Sequence, residues 1–95
     1  MLEFNGKQIK LEIDYNTMCE LEEMGMSIME IESKTLSTIR ALLYIALKKI
    51  EPKITMNETG LQINEYFANG GTIEKLGEAF EKAVSNSGFF PKNNK

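Results

Sequence analysis

The sequence predicts an α+β fold that is mainly α: an N-terminal β-hairpin followed by four or five helices in a small bundle. Three observations predict it. Apolar and polar residues alternate on either side of Asn5-Gly6, apolar residues recur at helical spacing from Leu36 to Ile50, and Ser27-Ile-Met-Glu30 and Thr55-Met-Asn-Glu58 have the form of helix-opening capping boxes.

Leu2-Glu3-Phe4, the pair Asn5-Gly6 and the stretch Lys7 to Ile13 read as a hairpin with a two-residue turn. If Phe4 faces Lys7, then Leu2 faces Ile9. Leu2, Phe4, Ile9, Leu11 and Ile13 then share one face, and Glu3, Gln8, Lys10 and Glu12 the other. An isolated hairpin is barely stable in water, so its apolar face must lie on helices, while its open edge can pair with a neighbour.

Asp14 suits the N-cap of a short helix from Tyr15 to Met24, ended by Gly25 in the left-handed conformation. The Ser27 capping box opens a further turn or two, from Met26 to about Glu32, before residues 33–35 reset the chain.

The strongest helix runs from Leu36 to Ile50. Leu36, Ile39, Leu42, Leu43, Ala46, Leu47 and Ile50 form one stripe, stopped by Glu51-Pro52 because the residue before proline avoids the helical region. Ala41, Tyr44 and Ile45 project from the opposite side, so this helix is apolar on two faces. Either the fold wraps it or one face meets a partner.

The Thr55 capping box opens a helix to about Ala68, with Met56, Gly60, Ile63, Tyr66 and Phe67 on one face, and Asn69-Gly70-Gly71 ends it. Thr72 caps a last helix through about Ser87, where Ile73, Leu76, Gly77, Phe80, Ala83 and Val84 line one face. Gly60 and Gly77 sit on apolar faces despite the cost of glycine in a helix, which suggests a close helix crossing. Residues 1–91 are expected to form a single domain, with residues 1–13 the hairpin and 14–87 the helical part; order is expected to end near Pro91, leaving 92–95 as a flexible tail.

A chain of 95 residues, 42% apolar and 26% charged, has the composition of one soluble globular domain. Its longest apolar run, Ala41 to Leu47, is far short of the roughly 20 residues a membrane span needs, and its start lacks the basic and hydrophobic regions of a signal peptide. The lone Cys19 fits a reducing cytoplasm. Residues 1–32 hold eight acids and two lysines, a balance of -6, while residues 33–95 balance at +3. Within one molecule that polarity is mild complementarity. Between copies it favours head-to-tail contacts, which build rings or open spirals.

The function classes narrow quickly. With no histidine, the usual general base near neutral pH is missing. Glu22 and Glu23 are adjacent and diverge, so they do not form an acid/base pair, and no phosphate loop, dinucleotide fingerprint or calcium loop occurs. Neither an enzyme nor a cofactor or metal site is expected. Nucleic-acid binding is disfavoured as well, since the last helix exposes more glutamates than lysines and phosphate contacts need a positive excess. What stands out is Met18, Met24, Met26 and Met29 within twelve residues. Flexible thioethers either fill irregular gaps in a small core or re-pack around a partner.

The order of elements resembles the tail assembly chaperones of long-tailed, siphovirus-type bacteriophages. The resemblance rests on the N-terminal hairpin, the Glu-Leu-Glu-Glu-Met-Gly helix end at 20–25, the helix Leu36-Ser-Thr-Ile-Arg-Ala-Leu-Leu-Tyr-Ile-Ala-Leu47, and Pro52 followed by Ile54-Thr-Met-Asn-Glu-Thr-Gly60. It covers nearly the whole chain. Asn57-Glu58-Thr59 replaces a more acidic version of that cap.

The resemblance implies a non-enzymatic protein of the host bacterial cytoplasm that binds and solubilises the tape measure protein, recruits tail tube subunits, and is absent from the mature virion. A small head-tail connector or other morphogenesis adaptor is the alternative. Candidate partner contacts are Met24, Met26 and Met29, the Tyr44 and Ile45 face, and the aromatic pair Phe89 and Phe90. Family members are often made in two lengths by ribosomal slippage. The end Pro91-Lys92-Asn93 is compatible with the slippery codons CCA-AAA-AAC, or is simply a polar terminus.

Overall fold

Asn5 and Gly6 both adopt positive φ, 52° and 82°, and the turn they make closes a two-stranded antiparallel sheet of β1 (Leu2–Phe4) and β2 (Lys7–Ile9). The structure, a computed structural model, describes residues 2–33 and 35–88. Pairing of Leu2 with Ile9, Glu3 with Gln8 and Phe4 with Lys7 is the register that the alternation demands. Among the described residues the ladder runs to Ile9, paired with Leu2, rather than to Ile13. The alternation continues all the same, with Ile13 buried, Leu11 half-buried, and Lys10 and Glu12 exposed.

Five helices follow: α1 (Tyr15–Glu23), α2 (Ile28–Ser33), α3 (Leu36–Lys48), α4 (Met56–Ala68) and α5 (Ile73–Ser87). Their starts obey local capping chemistry. Asp14 accepts from the Thr17 backbone N–H at 2.8 Å and from its hydroxyl at 2.9 Å. Ser27 and Glu30 satisfy each other's backbone N–H groups at 2.9 and 3.1 Å, as do Thr55 and Glu58 at the head of α4. Thr35 and Thr72 cap α3 and α5.

The helix ends are equally local. At the end of α1, Gly25 has φ 94°, its N–H reaches the Glu22 carbonyl at 2.9 Å, and the Met26 N–H reaches the Leu21 carbonyl at 3.0 Å. This is the Schellman pattern, and it turns the chain sharply from α1 into α2. The end of α4 repeats it: Gly70 has φ 97° and donates to Phe67, while Gly71 donates to Tyr66 at 2.9 Å. Gly71 is there for room, since a Cβ would overlap the Tyr66 ring.

The fold wraps α3. Helices α1, α4 and α5 all pack on it, and Thr38, Ile39, Ala41, Leu42, Leu43, Ile45, Ala46 and Leu47 are buried. Leu36 at its start is open, as are the polar Ser37 and Arg40, and Ile50 is exposed just beyond its end. The hairpin seals the bundle beside α4: Phe4 is fully buried with its ring stacked on Tyr66, centroids 5.2 Å apart. A polar chain reinforces that contact. The Lys7 ammonium pairs with Glu51, Gln62 donates to the other Glu51 oxygen at 3.2 Å, and the Asn5 amide donates to the Gln62 carbonyl at 2.9 Å.

The three buried threonines are hydrogen-bonded, whereas among the described residues Asn5 Oδ1 and Gln62 Oε1 are buried without a partner. Thr17 donates to Asp14, Thr59 to the Thr55 carbonyl at 3.0 Å, and Thr38 to the Met26 sulfur at 3.6 Å. The expected close crossing at Gly60 and Gly77 is not observed. A Cβ at Gly60 would meet only the Arg40 side chain at 3.7 Å, and one at Gly77 would meet nothing within 4 Å. Among the described residues no helix is long and apolar enough to cross a membrane. The expected end of order at Pro91 and the tail at 92–95 lie outside the described residues.

Candidate functional site

The Schellman turn at Gly25 folds α2 back beside α1 and leaves a cleft of about 170 Å³ between them. On α1, Tyr15, Met18, Cys19 and Glu22 follow one another at helical spacing along the face that lines it. Met26, Ile28 and Ile31 supply the other side. Of the lining residues Ile31 is fully buried and anchors α2 in the core.

Burial divides the methionines that stand out in the sequence. Met24 and Met26 are half-buried and pack against the core, with Met26 held by the Thr38 hydroxyl. Met18 is half-buried in the cleft. Met29 alone of the candidate methionines projects into solvent, 76% exposed. Met18, Met24 and Met26 therefore pack against the core as gap-fillers, and Met29 stands apart at the surface.

The Tyr44 and Ile45 face requires correction. Ile45 is only 4% exposed and belongs to the core. Tyr44 is half-buried, with the Lys48 ammonium 5.2 Å from its ring centroid. Both faces of α3 are covered for most of its length by α1, α4 and α5. Phe89 and Phe90 lie outside the described residues.

Several large apolar side chains outside the candidate contacts are exposed, Leu61 and Ile50 among them, and two of these, Tyr15 at 71% and Ile28 at 55%, meet at the cleft. Each is the first residue of its helix, where capping dominates the pattern. The available signal is the spacing of Tyr15, Met18 and Cys19, which puts three less polar side chains on one face of α1 ahead of Glu22. Leu36, at the start of α3, is another open apolar side chain.

The electrostatics of this corner are one-sided. Residues 11–33 hold seven carboxylates and no lysine or arginine. Asp14 is held below the usual carboxylate range, chiefly by the Thr17 backbone N–H and then by the Thr17 hydroxyl. Glu20 faces Lys48 at 3.8 Å, and Glu30 is engaged in the capping box. A wider trough of about 690 Å³ lies between the chain after β2 and α5, but it mixes Lys10, Lys75 and Lys82 with Glu78 and Glu81 and so presents no single sign of charge. The α1–α2 cleft combines an apolar floor with an acidic setting and can receive a large apolar side chain. No protein-family model matches the chain, and comparison with curated proteins and with solved structures finds no match to it.

Proposed function

We propose that this protein is a tail assembly chaperone of long-tailed bacteriophages, a non-enzymatic adaptor that binds the tape measure protein in the host cytoplasm, helps recruit tail tube subunits, and leaves before the virion is complete. The single observation that carries the binding part of this reading is the open apolar corner of α1 and α2, with Tyr15 and Ile28 at its rim and Met18 and Met26 within. A closed small domain ordinarily buries such residues together, and their exposure next to adaptable thioethers suits a surface that re-packs around a helix. A tape measure is a long amphipathic helical chain prone to aggregate. Many weak copies of one small site sheath it through additive binding.

The test is co-expression with the tape measure protein encoded beside this gene. The wild-type chain is expected to bring the tape measure into the soluble fraction, and Ile28→Asp to lose that capacity while keeping a native circular dichroism spectrum. A folded wild-type protein that leaves the tape measure insoluble overturns the proposal. Detection of stoichiometric copies in purified virions by mass spectrometry overturns the departure step and favours a connector role.

A further inference from the structure

We infer that the α1–α2 cleft is selective for an amphipathic helix that carries one large apolar anchor flanked by lysine or arginine one helical turn away, rather than for apolar helices in general. The inference rests on the reading that this corner docks a partner, and it names the chemistry of the docked segment.

Size sets the anchor. A dry apolar cavity of roughly 150 Å³ holds a benzene ring. A cleft of about 170 Å³ floored by Met18, Met26 and Ile31 therefore accepts one phenylalanine-sized or leucine-sized group. It does not accept a continuous apolar ridge.

Charge sets the flanks. Two acids of this corner have partners: Asp14, the N-cap of α1, accepts from Thr17, and Glu20 faces Lys48 at 3.8 Å. Three others do not. Glu22 lines the cleft, Glu23 lies one turn beyond Cys19, and Glu32 lies one turn beyond Ile28. All three are exposed, and none makes an ion pair or side-chain hydrogen bond among the described residues. Docking a wholly apolar helix would strip water from Glu22 and return nothing. A basic helix replaces that water with an opposite charge.

Helix physics supplies a second, independent observation. Glu22 and Glu23 stand in the last turn of α1, which holds no basic residue. The negative end of the helix dipole makes acids unfavourable at that end. The fold thus keeps two carboxylates where local stability prefers neutral or cationic side chains. Residues that break a local preference without a compensating contact mark places that serve something other than the fold.

The experiment uses the full chain and synthetic fifteen-residue helical peptides with a central phenylalanine, read by fluorescence anisotropy at low and moderate salt. Lysine-flanked peptide is expected to bind about tenfold tighter than the glutamate-flanked version, to weaken with salt, and to lose binding when its phenylalanine becomes alanine. The double variant Glu22→Lys, Glu23→Lys is expected to reverse the preference while raising the urea midpoint, a gain that a purely structural role for these acids would not produce. Equal binding of both peptides, or lysine-peptide binding unaffected by Ile28→Asp, overturns the inference. So does self-association that depends on Ile28 without peptide binding, which assigns the cleft to a second copy. If the tape measure is solubilised yet no charge preference appears, this inference fails and the chaperone reading stands. If basic peptides are selected while the tape measure stays insoluble, the charge preference stands and the chaperone reading fails.

Discussion

The ring of Tyr66 occupies the space that a side chain at position 71 would need, so the C-terminal turn of α4 and the aromatic plug under the hairpin are one unit. Gly71 donates its backbone N–H to the Tyr66 carbonyl while leaving room for that residue's own ring. Gly71→Ala is expected to cost about 1–3 kcal/mol through overpacking. In a double-mutant cycle with Tyr66→Leu, the penalty of Gly71→Ala should shrink, because the smaller side chain yields the contested volume. Urea unfolding of the four proteins measures the coupling, and strictly additive losses refute it.

Gly77 and Gly60 predict the opposite sign. Neither carries a positive φ, and an added methyl group meets open space at Gly77 and an ordinary contact with Arg40 at Gly60. Gly77→Ala is expected to stabilise the protein by about 1 kcal/mol, the usual helix-interior difference. A fall in thermal midpoint on Gly77→Ala would show that this face is occupied.

Burial separates two residues that the sequence pattern groups together as contacts. Ile45→Ala should cost about 2–5 kcal/mol as a core truncation, whereas Met29→Ala should change stability by less than about 0.5 kcal/mol. The denaturant midpoint decides both. A mild effect at Ile45 would return it to the surface.

Acid should weaken the ion pair that ties the hairpin to Glu51. The Glu51 carboxyl is held below its ordinary value, chiefly by the Lys7 side chain and then by Gln62. A lowered folded-state value means that the unfolded chain takes up its proton first. The contribution is therefore complete above the ordinary glutamate range and drains away as pH falls through the folded value, from about pH 4.5 downwards. Both partners are about a third exposed, so the pair contributes at most about 1 kcal/mol. Urea midpoints between pH 7 and pH 3 should show a flatter acid limb for Glu51→Gln than for wild type.

Cys19 offers a direct view of the cleft. It is half-buried and lines that site. Alkylation should proceed more slowly in the native protein than in urea, and saturating lysine-flanked peptide should slow it further. Unchanged alkylation with peptide bound would place the peptide elsewhere.

Much of the fold is legible in the sequence because its determinants are local. The hairpin register follows from a period of two and the Asn5-Gly6 turn, and the helix starts follow from side chains three residues apart, as in Ser27 with Glu30 and Thr55 with Glu58. The site is less legible. Periodicity tells which residues share a face, but not what is packed against it. Hence Ile45, on the second apolar face of α3, looks available in sequence, whereas α1, α4 and α5 surround that helix. The methionines pose the same difficulty in reverse: Met26 and Met29 are three residues apart, yet one is tied down by Thr38 and the other faces water. That difference is set by a contact twelve residues away in sequence. The glycines mislead for a related reason, since an apolar face with a gap looks the same in sequence whether a neighbouring backbone fills it or not.

The enclosure of α3 has an evolutionary consequence. The side chains that form the core are largely distinct from those that rim the cleft, so a substitution at Ile28 leaves the packing around α3 in place. Such a chain is free to follow a drifting partner by changing its rim while the scaffold stays put. Lineages carrying this architecture should therefore vary most around the α1–α2 corner and least along α3.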